Sequence, residues 1–483
     1  MSDTTPRRVA IIGGGLSGLA TAAKLHRLDA SIQLVLFERG DRAGGVIHSE
    51  QVGPFLIDHG ADMFSTKPSA ALDFCRELGL EDQLIEPQLT GRGARIVRNG
   101  KLVPIPDGFV VMRATQLWPM LTTPLLSLRG KLRFLLERWV KPAKDGEDES
   151  IAAFVRRRMG VEVLDRIVAP LSAGIYTADV TKLSMQTTMR AVASMESKYG
   201  SLAKATAIRR RKGEDSVERN STGARYGQFR AFKGGMIDLI QGLAETLPSG
   251  SIKLTCPVDS IRPHGEGWIV SEAGTDHSFD HVIVAVPPFS ASELLNDVVP
   301  KAAAELRMIE SASTAIVVLA VSAKDIQRPV KTFGFVVPLS EQRRILAGSF
   351  ASQKFSGRAP EDHVLIRVFI GGAMQSEFLK KSDDELIQIA REELSDLIGL
   401  TGNPVVTRVV HWKQAMPQYH VGHGDRVRII DEDIDGVPGL SYLSNALHGV
   451  GITPVIQQAD HVAREVVSRF TPSGDSANSK GIG

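Results

Sequence analysis

The stretch Val9-Ala10-Ile11-Ile12-Gly13-Gly14-Gly15-Leu16-Ser17-Gly18-Leu19-Ala20 admits few folds. Its apolar start predicts a short buried strand, the glycines a tight turn, and the residues through Ala22, Ala23 and Leu25 a helix. Gly13, Gly15 and Gly18 keep a G-x-G-x-x-G spacing in which each glycine has its own task. The first permits the sharp turn, the second lets backbone approach a pyrophosphate, and the third lets the helix pack closely on the strand. The helix start then offers unpaired N–H groups and a positive dipole end to that anion. Such glycines also serve plain strand–helix turns. Here Leu34-Val35-Leu36-Phe37 predicts a second buried strand ending in Glu38. An acidic residue about twenty positions on accepts hydrogen bonds from a ribose, which favours an adenine dinucleotide without a 2′-phosphate.

A chain of 483 residues predicts two or three domains with large cores. A net charge of +2, with no aromatic–basic module, gives no reason to expect nucleic acid. Cys75 and Cys256 are the only cysteines and lack metal spacing, so neither a disulfide nor a metal is expected. The first six residues lack the apolar core of a secretory signal, and no run is long enough to span a bilayer. A soluble, cytoplasmic protein is the expectation.

Beyond Glu38, Arg39-Gly40-Asp41-Arg42-Ala43-Gly44-Gly45-Val46 brings a glycine pair that lets a second loop approach phosphates, with Arg42 as a charge partner. Residues 69–79 predict a helix, and Arg95 to Pro106 a hairpin turning at Asn99-Gly100. From Phe109 to Trp139 helical periodicity dominates, with Leu117, Met120, Leu125, Leu128, Leu132, Leu135 and Leu136 on one face and Arg129, Lys131, Arg133 and Arg138 among them. Such a face either roofs a cavity, the favoured reading, or docks on a membrane surface. Residues 209–225 predict an exposed charged loop, and 471–483 a disordered tail. Several β-like runs between Ala315 and Val410 surround one helix at Asp383–Leu397.

By Gly44-Gly45 the chain resembles the amine-oxidase-like flavoprotein superfamily. Further stretches resemble the oxygen-dependent protoporphyrinogen and coproporphyrinogen oxidases of heme synthesis. These are Glu149 to Gly160, Pro170-Leu171-Ser172-Ala173-Gly174-Ile175-Tyr176-Thr177-Ala178-Asp179 with Lys182 to Met185, Phe232 to Met236, Leu128 to Lys131, and Trp412 with Pro417-Gln418-Tyr419 and Gly422-His423. Leu447-His448-Gly449-Val450-Gly451-Ile452-Thr453-Pro454-Val455-Ile456 resembles that family's C-terminal flavin motif. The likeness runs to about residue 469. Ala178, and Ser444 or Asn445, stand where the family often has glycine.

The resemblance implies non-covalent FAD. It places the cofactor at Gly13, Gly14, Gly15, Ser17, Gly18, Glu38, Arg39, Arg42, Gly44, Gly45, Gly60, Ala61, Val258, Gly449, Val450, Gly451 and Ile452. It also implies that the Gly174 carbonyl meets the macrocycle. Arg95 lies near the family's propionate-binding arginine with spacing off by about one residue, so Arg92 and Arg98 stay open as alternatives. Phe333 and Phe335 are candidates for an apolar substrate wall, although strand phenylalanines commonly pack a core. His423 and His448 are candidate acid–base groups, or else orient backbone.

The expected architecture is mixed α/β. A Rossmann-like FAD-binding domain in three pieces (1–90, 229–300, 426–470) would hold an inserted helical subdomain (91–228) and a β-rich substrate-binding domain (301–425). The implied reaction is six-electron oxidation of a porphyrinogen by oxygen, giving porphyrin and hydrogen peroxide. A flavin amine oxidase or carotenoid-desaturase-like enzyme, and a heme-pathway binding protein without turnover, are the alternatives. A peripheral contact with a membrane or with ferrochelatase, and a homodimer, are further states left open.

Overall fold

The computed structural model describes residues 6–470 except 92, 111, 144–146, 214–225 and 330. The expectations for Arg92, for 214–225 and for the tail 471–483 therefore lie outside the described residues.

Arg8–Ile12 is the middle strand of a five-stranded parallel sheet, ordered Ile252–Lys253, Gln33–Phe37, Arg8–Ile12, His281–Val284, Leu440–Tyr442. Its near-continuous apolar sequence is what a parallel strand covered on both faces requires. Helices Leu16–Leu28 and Ile452–Phe470 cover one face, together with helix Ile237–Glu245. The other face carries the antiparallel meander Val258–His264, Gly267–Glu272, Thr275–Phe279 and helices Pro288–Leu294, Pro300–Arg307 and His423–Asp435. The start, middle and end of the chain thus build one layered unit.

A seven-stranded sheet carries the other half of the molecule. Its order is Val406–Pro417, Ser311–Ser322, His363–Gly371, Ala347–Phe350, Gly334–Val336, Ala94–Arg98, Lys101–Pro104. Asn99 (φ 49°) and Gly100 (φ 70°) turn the last hairpin, as an Asn-Gly pair favours. This hairpin pairs with Gly334–Val336, so 91–228 is not a separate unit: residues 94–104 belong to the seven-stranded sheet. Helix Asp383–Ile398, opened by a Ser382–Glu385 capping box, covers the outer face against Val97, Val317, Leu319 and Phe335. The inner face sets Ile316, Val318 and Ala320 against Phe55 and Ile57. Farther along, Ile96, Val336 and Ala347 pack against the helical segments.

Two helical expectations change. Residues 109–139 form short strands, helix Leu117–Thr122, helix Leu128–Leu135 and a final 3-10 turn, Leu136–Trp139. Pro124 forces Thr123 into extended backbone (ψ 139°), which ends the first helix. Met120 and Leu125 are buried with Leu126 and Phe134 in the cluster of Ile96 and Val336, but Leu117, Leu128, Leu132, Leu135 and Leu136 stay exposed, so the expected apolar face is split between core and surface. Arg209 to Arg211 end helix Leu202–Arg211 instead of opening a loop.

Candidate flavin and substrate site

At the first glycine turn each glycine has a geometric reason. A Cβ on Gly13 (φ +112°) would stand 2.6 Å from the Ala285 carbonyl oxygen, and one on Gly18 only 1.9 Å from that of Gly13. A Cβ on Gly15 would meet nothing within 4 Å. The helix beginning there has no side-chain cap and no acidic residue in its first turn, where half-buried Ser17 also lies. Its leading N–H groups are left for an anion.

The second loop lies directly against this opening. Gly44 N–H donates to the Gly14 carbonyl (2.7 Å), and a Cβ on Gly45 would come 3.3 Å from Gly15 Cα. Glu38 accepts from Gly14 N–H and from Gly40 N–H, both at 2.7 Å. Each carboxylate oxygen keeps acceptor capacity for a ribose hydroxyl. Arg39 stays exposed beside it. Arg42 turns its guanidinium onto the carbonyls of Gly45 (2.8 Å) and Ala43 (3.3 Å) and braces the loop. Val258 is half-buried at the start of its strand, among residues packed on the far face of the parallel sheet.

Gly60 and exposed Ala61 follow strand Phe55–Asp58. A Cβ on Gly60 would stand 2.2 Å from the Val46 carbonyl oxygen, so only glycine lets these two loops meet. The Gly60 carbonyl accepts from Arg367, an arginine within strand His363–Gly371. Arg367 also pairs with Asp62 (3.0 Å), which binds Lys354 (2.7 Å); all three are buried. Burial alone would raise the Asp62 pKa, but Lys354 and Arg367 outweigh it and hold the carboxyl well below its usual range. Sequence reasoning missed this cluster, although an arginine inside Val364-Leu365-Ile366-Arg367-Val368-Phe369-Ile370 was a visible sign.

The C-terminal turn is held differently. Gly449 (φ +141°) donates its N–H to the Tyr419 hydroxyl (2.9 Å), which itself donates to the Asn445 carbonyl. The Tyr419 ring stacks on His423 with centroids 4.3 Å apart, and His423 Nε2 donates to the Leu447 carbonyl (3.2 Å). Burial pulls the His423 pKa down to about 4. His423 is therefore a neutral brace for the loop, which corrects its candidacy as an acid–base group. His448 is exposed, 3.6 Å from Asp431. Val450 packs beside the helical segments, Gly451 is exposed, and buried Ile452 opens a helix with no acidic residue in its first turn. Tyr419 is the residue the site needed and the sequence did not single out.

Gly174 lies in helix Ala169–Tyr176, not in a loop. Its carbonyl falls in the last turn, and Thr177 (φ 48°) reverses the backbone before a further helical donor arrives. A Cβ on Gly174 would meet Val336 at 3.1 Å. Val336, Ile96 and Ala347 form one apolar surface with half-buried Leu171, Tyr176, Phe369 and Val450. The Gly174 helix thus packs at Val336 on the inner sheet face.

Arg95 and Phe335 are not part of this surface. They stand opposite each other in register, as Ile96 and Val336 do one residue along. Side chains alternate across a strand, so Arg95 and Phe335 share the outer face, where Phe335 packs under helix Asp383–Ile398. Phe333 is likewise buried, at 1 % exposure, two residues before Phe335. Arg98 shares the face of Ile96 but lies 4.0 Å from Glu341 at the hairpin end.

A dinucleotide-type nucleotide fold, an uncapped helix start at Gly15, a second helix start without acidic residues and a sheet-walled apolar surface define a flavoprotein oxidoreductase. The chain belongs to the flavin-containing amine oxidoreductase family, which it matches over residues 16–467. It is similar to coproporphyrinogen III oxidases of Staphylococcus aureus (32 % identical, covering 96 % of this chain and 100 % of that one) and Bacillus subtilis (30 %, 95 % and 97 %). A crystal structure of a provisionally named protoporphyrinogen oxidase from Exiguobacterium sp. 255-15 superposes with a TM-score of 0.84 at 26 % identity, over 96 % of this chain and all of that one. Putrescine oxidase, 17 % identical with a TM-score of 0.69 over 96 % and 99 % of the two chains, shares the fold.

The open space and uncapped helix start at Gly15, with the absence of acidic residues from the first turn of helix Ile452–Phe470, fit FAD, the cofactor of this enzyme. Cys75 is sealed in the core beneath helix Ile452–Phe470, and burial pushes its thiol up to about 12, so it offers no thiolate. Among the described residues no group of three potential metal ligands occurs, and no helix is long and apolar enough to cross a membrane.

Proposed function

We propose that the chain oxidises a porphyrinogen, coproporphyrinogen III ahead of protoporphyrinogen IX, to the porphyrin, with oxygen as final acceptor and three hydrogen peroxide per porphyrin. Bound FAD supplies the acceptor for two electrons at a time. The observation carrying this reading is the Gly174 carbonyl in the last turn of its helix, at a position where a Cβ would meet Val336 at 3.1 Å. Such a carbonyl accepts a hydrogen bond from a pyrrole N–H and orients the ring. The apolar surface excludes water from the ring face, and positioning of this kind lowers barriers without a strong acid or base. The names of the relatives support the substrate class and favour the coproporphyrinogen.

Aerobic turnover of the FAD-loaded protein on both porphyrinogens tests this, with porphyrin fluorescence and peroxide followed together. Porphyrin formation no faster than spontaneous oxidation would overturn it.

For location, we infer a cytoplasmic enzyme that rests on anionic lipid. Trp118 (74 % exposed), Leu128 (79 %), Leu132 and Trp139 stand out from one segment. Arg129, Lys131 and Arg138 accompany them without an acidic partner among the described residues. Exposed aromatic and aliphatic side chains ringed by cations suit a lipid interface. Co-sedimentation with phosphatidylglycerol vesicles should fall at least fivefold in Trp118→Ala/Trp139→Ala; equal sedimentation of both proteins would refute the surface.

A further inference from the structure

In strand His363–Gly371, Ile366 and Val368 face outward under helix Asp383–Ile398, and Leu365 faces inward against Phe55 and Ile57. Strand parity puts Arg367 on the inner face with Leu365. There its guanidinium carbon lies 5.4 Å from the Phe369 ring centroid. A cation in an apolar row is costly unless it is paired. Arg367 pairs with Asp62 (3.0 Å) and donates to the Gly60 carbonyl. Lys354, at the end of the short helix Ala351–Lys354, reaches the same carboxylate (2.7 Å). Among the described residues Asp62 is the one acidic group that pairs with either cation. Arg358, close by, faces Asp58 (3.4 Å) and leaves the balance unchanged. Asp62 stays ionised, so the buried cluster carries two positive charges against one negative.

The cluster sits on a segment that touches both glycine-led turns. At the start of this segment, Gly60 meets the Val46 carbonyl, next to Gly45, whose Cβ would come 3.3 Å from Gly15 Cα. At its end, the Ser65 carbonyl accepts from the Thr453 hydroxyl (2.6 Å). Thr453 belongs to the first turn of the helix that follows Gly449 and Gly451. Asp62 lies between these two contacts. The surplus charge is therefore buried midway between the two places that fit the ends of a dinucleotide. Buried charge acts over longer distances than charge in water, because less solvent screens it.

We infer that Lys354 and Arg367 set a surplus positive charge beside the bound flavin and thereby favour its reduced, negatively charged form. Two electrons and one proton turn the neutral flavin ring system into an anion, so a nearby cation stabilises the product of reduction more than the starting form. Asp62 fixes both side chains and limits the surplus to one charge. Arg367 also ties the Gly60 loop to the seven-stranded sheet, which keeps that charge in place. The inference goes beyond the proposed reaction: it needs bound FAD and no particular substrate.

The test measures the reduction equilibrium of FAD-loaded protein without oxygen, against a reference dye of known potential, with absorbance read at each step. Lys354→Met removes the surplus and leaves Asp62 paired with Arg367, so no buried charge is stranded. It should keep full flavin content and shift the equilibrium about tenfold toward oxidised flavin, which is about 30 mV for two electrons. Lys354→Arg keeps the charge and should stay within threefold of wild type. Asp62→Asn enlarges the surplus and should shift the equilibrium the opposite way by a similar factor. An unchanged equilibrium in Lys354→Met would overturn the inference, as would loss of its flavin, which would make Lys354 a structural support only. Shifts of Lys354→Met and Asp62→Asn in the same direction would also overturn it, since a loosened loop gives that pattern. If Asp62→Asn yields no soluble protein, the two lysine variants decide: a Lys354→Arg shift as large as that of Lys354→Met refutes the charge effect. No porphyrinogen enters the measurement, so a wild type inert toward both porphyrinogens would sink the proposed reaction and leave this effect standing.

Discussion

The two glycine-led helix starts proposed to hold the flavin solve one problem by opposite means. At Gly13 to Gly18 the chain positions itself: the glycines clear neighbouring backbone, and among the described residues no distant side chain bonds the turn's amides beyond Glu38. At Gly449 to Ile452 the turn is held from outside by Tyr419 and His423, which come from the end of the seven-stranded sheet and the helix after it. A locally determined anion site tolerates changes elsewhere in the fold. A turn braced from a distant part of the chain ties its geometry to how those parts pack.

The strongest way to break the first half of this comparison is a pair of substitutions at one turn. In Gly18→Ala the new methyl would stand 1.9 Å from the Gly13 carbonyl oxygen, so strand and helix must separate. We expect a cost of several kcal/mol, a large part of the roughly 5–15 kcal/mol that stabilises a domain, and little soluble protein. In Gly15→Val the side chain enters open space at φ −72° and ψ −178°, a backbone valine accepts. That variant should match the melting temperature of the flavin-free wild type while losing FAD affinity by more than 100-fold. Full flavin content in purified Gly15→Val would show that the pyrophosphate does not use this opening.

The second half is probed by Tyr419→Phe. It keeps the ring on His423 but removes the hydroxyl that accepts from Gly449 and donates to Asn445. Two unmade hydrogen bonds at about 1 kcal/mol each predict a roughly tenfold to thirtyfold weaker FAD complex, with the melting temperature of the flavin-free protein lowered by only a few degrees. Titrating FAD into stripped protein measures this. Unchanged affinity would mean that the C-terminal turn holds its shape alone, as the first one does.

His423 gives the same brace a pH dependence. Its folded pKa of about 4 lies below the ordinary 6.5 because burial disfavours the charged ring. Between these values the unfolded chain binds a proton that the folded one refuses, so the stability present above pH 6.5 is lost as pH falls toward 4. The loss is on the order of 3 kcal/mol. Melting temperature followed from pH 7.5 to 4.5 should fall less steeply in His423→Gln than in wild type, even though the variant starts lower. Parallel curves would assign the acid sensitivity to other groups.

What could be read from the sequence follows the same division. The first turn, the paired strand ending in Glu38, the Asn99-Gly100 hairpin and helix Asp383–Ile398 rest on local spacing, and the structure has them where periodicity put them. Tyr419, Lys354 and Arg367 were not legible as site residues, because their partners are far away in the chain: Gly449 for the first, Asp62 for the other two. Helix 109–139 failed for a local reason that periodicity ignores, a proline that stops the helix at Thr122. The outer placement of Arg95 and Phe335 depends on strand parity, which turns on a single residue of register.

That parity supplies the smallest expected effect. Arg95 and Phe335 face helix Asp383–Ile398, away from Gly174, so truncating them should leave the chemistry alone. Phe335→Leu should cost about 1 kcal/mol through imperfect refilling of its core position against Phe350, and lower the melting temperature slightly. Arg95→Gln gives up one weak bond to the Leu102 carbonyl (3.4 Å) and should be nearly silent. For both variants, KM and kcat on coproporphyrinogen III should stay within twofold of wild type. A KM raised tenfold by Arg95→Gln would place its guanidinium in the substrate site after all. The register of Ala94–Arg98 against Gly334–Val336 would then have to slip by one residue, carrying Phe335 and the whole outer apolar row with it. A core that relies on Val97, Phe335 and Val337 cannot accept that slip without exposing them, so a silent Arg95→Gln beside a destabilised Phe335→Leu is the pairing the fold demands.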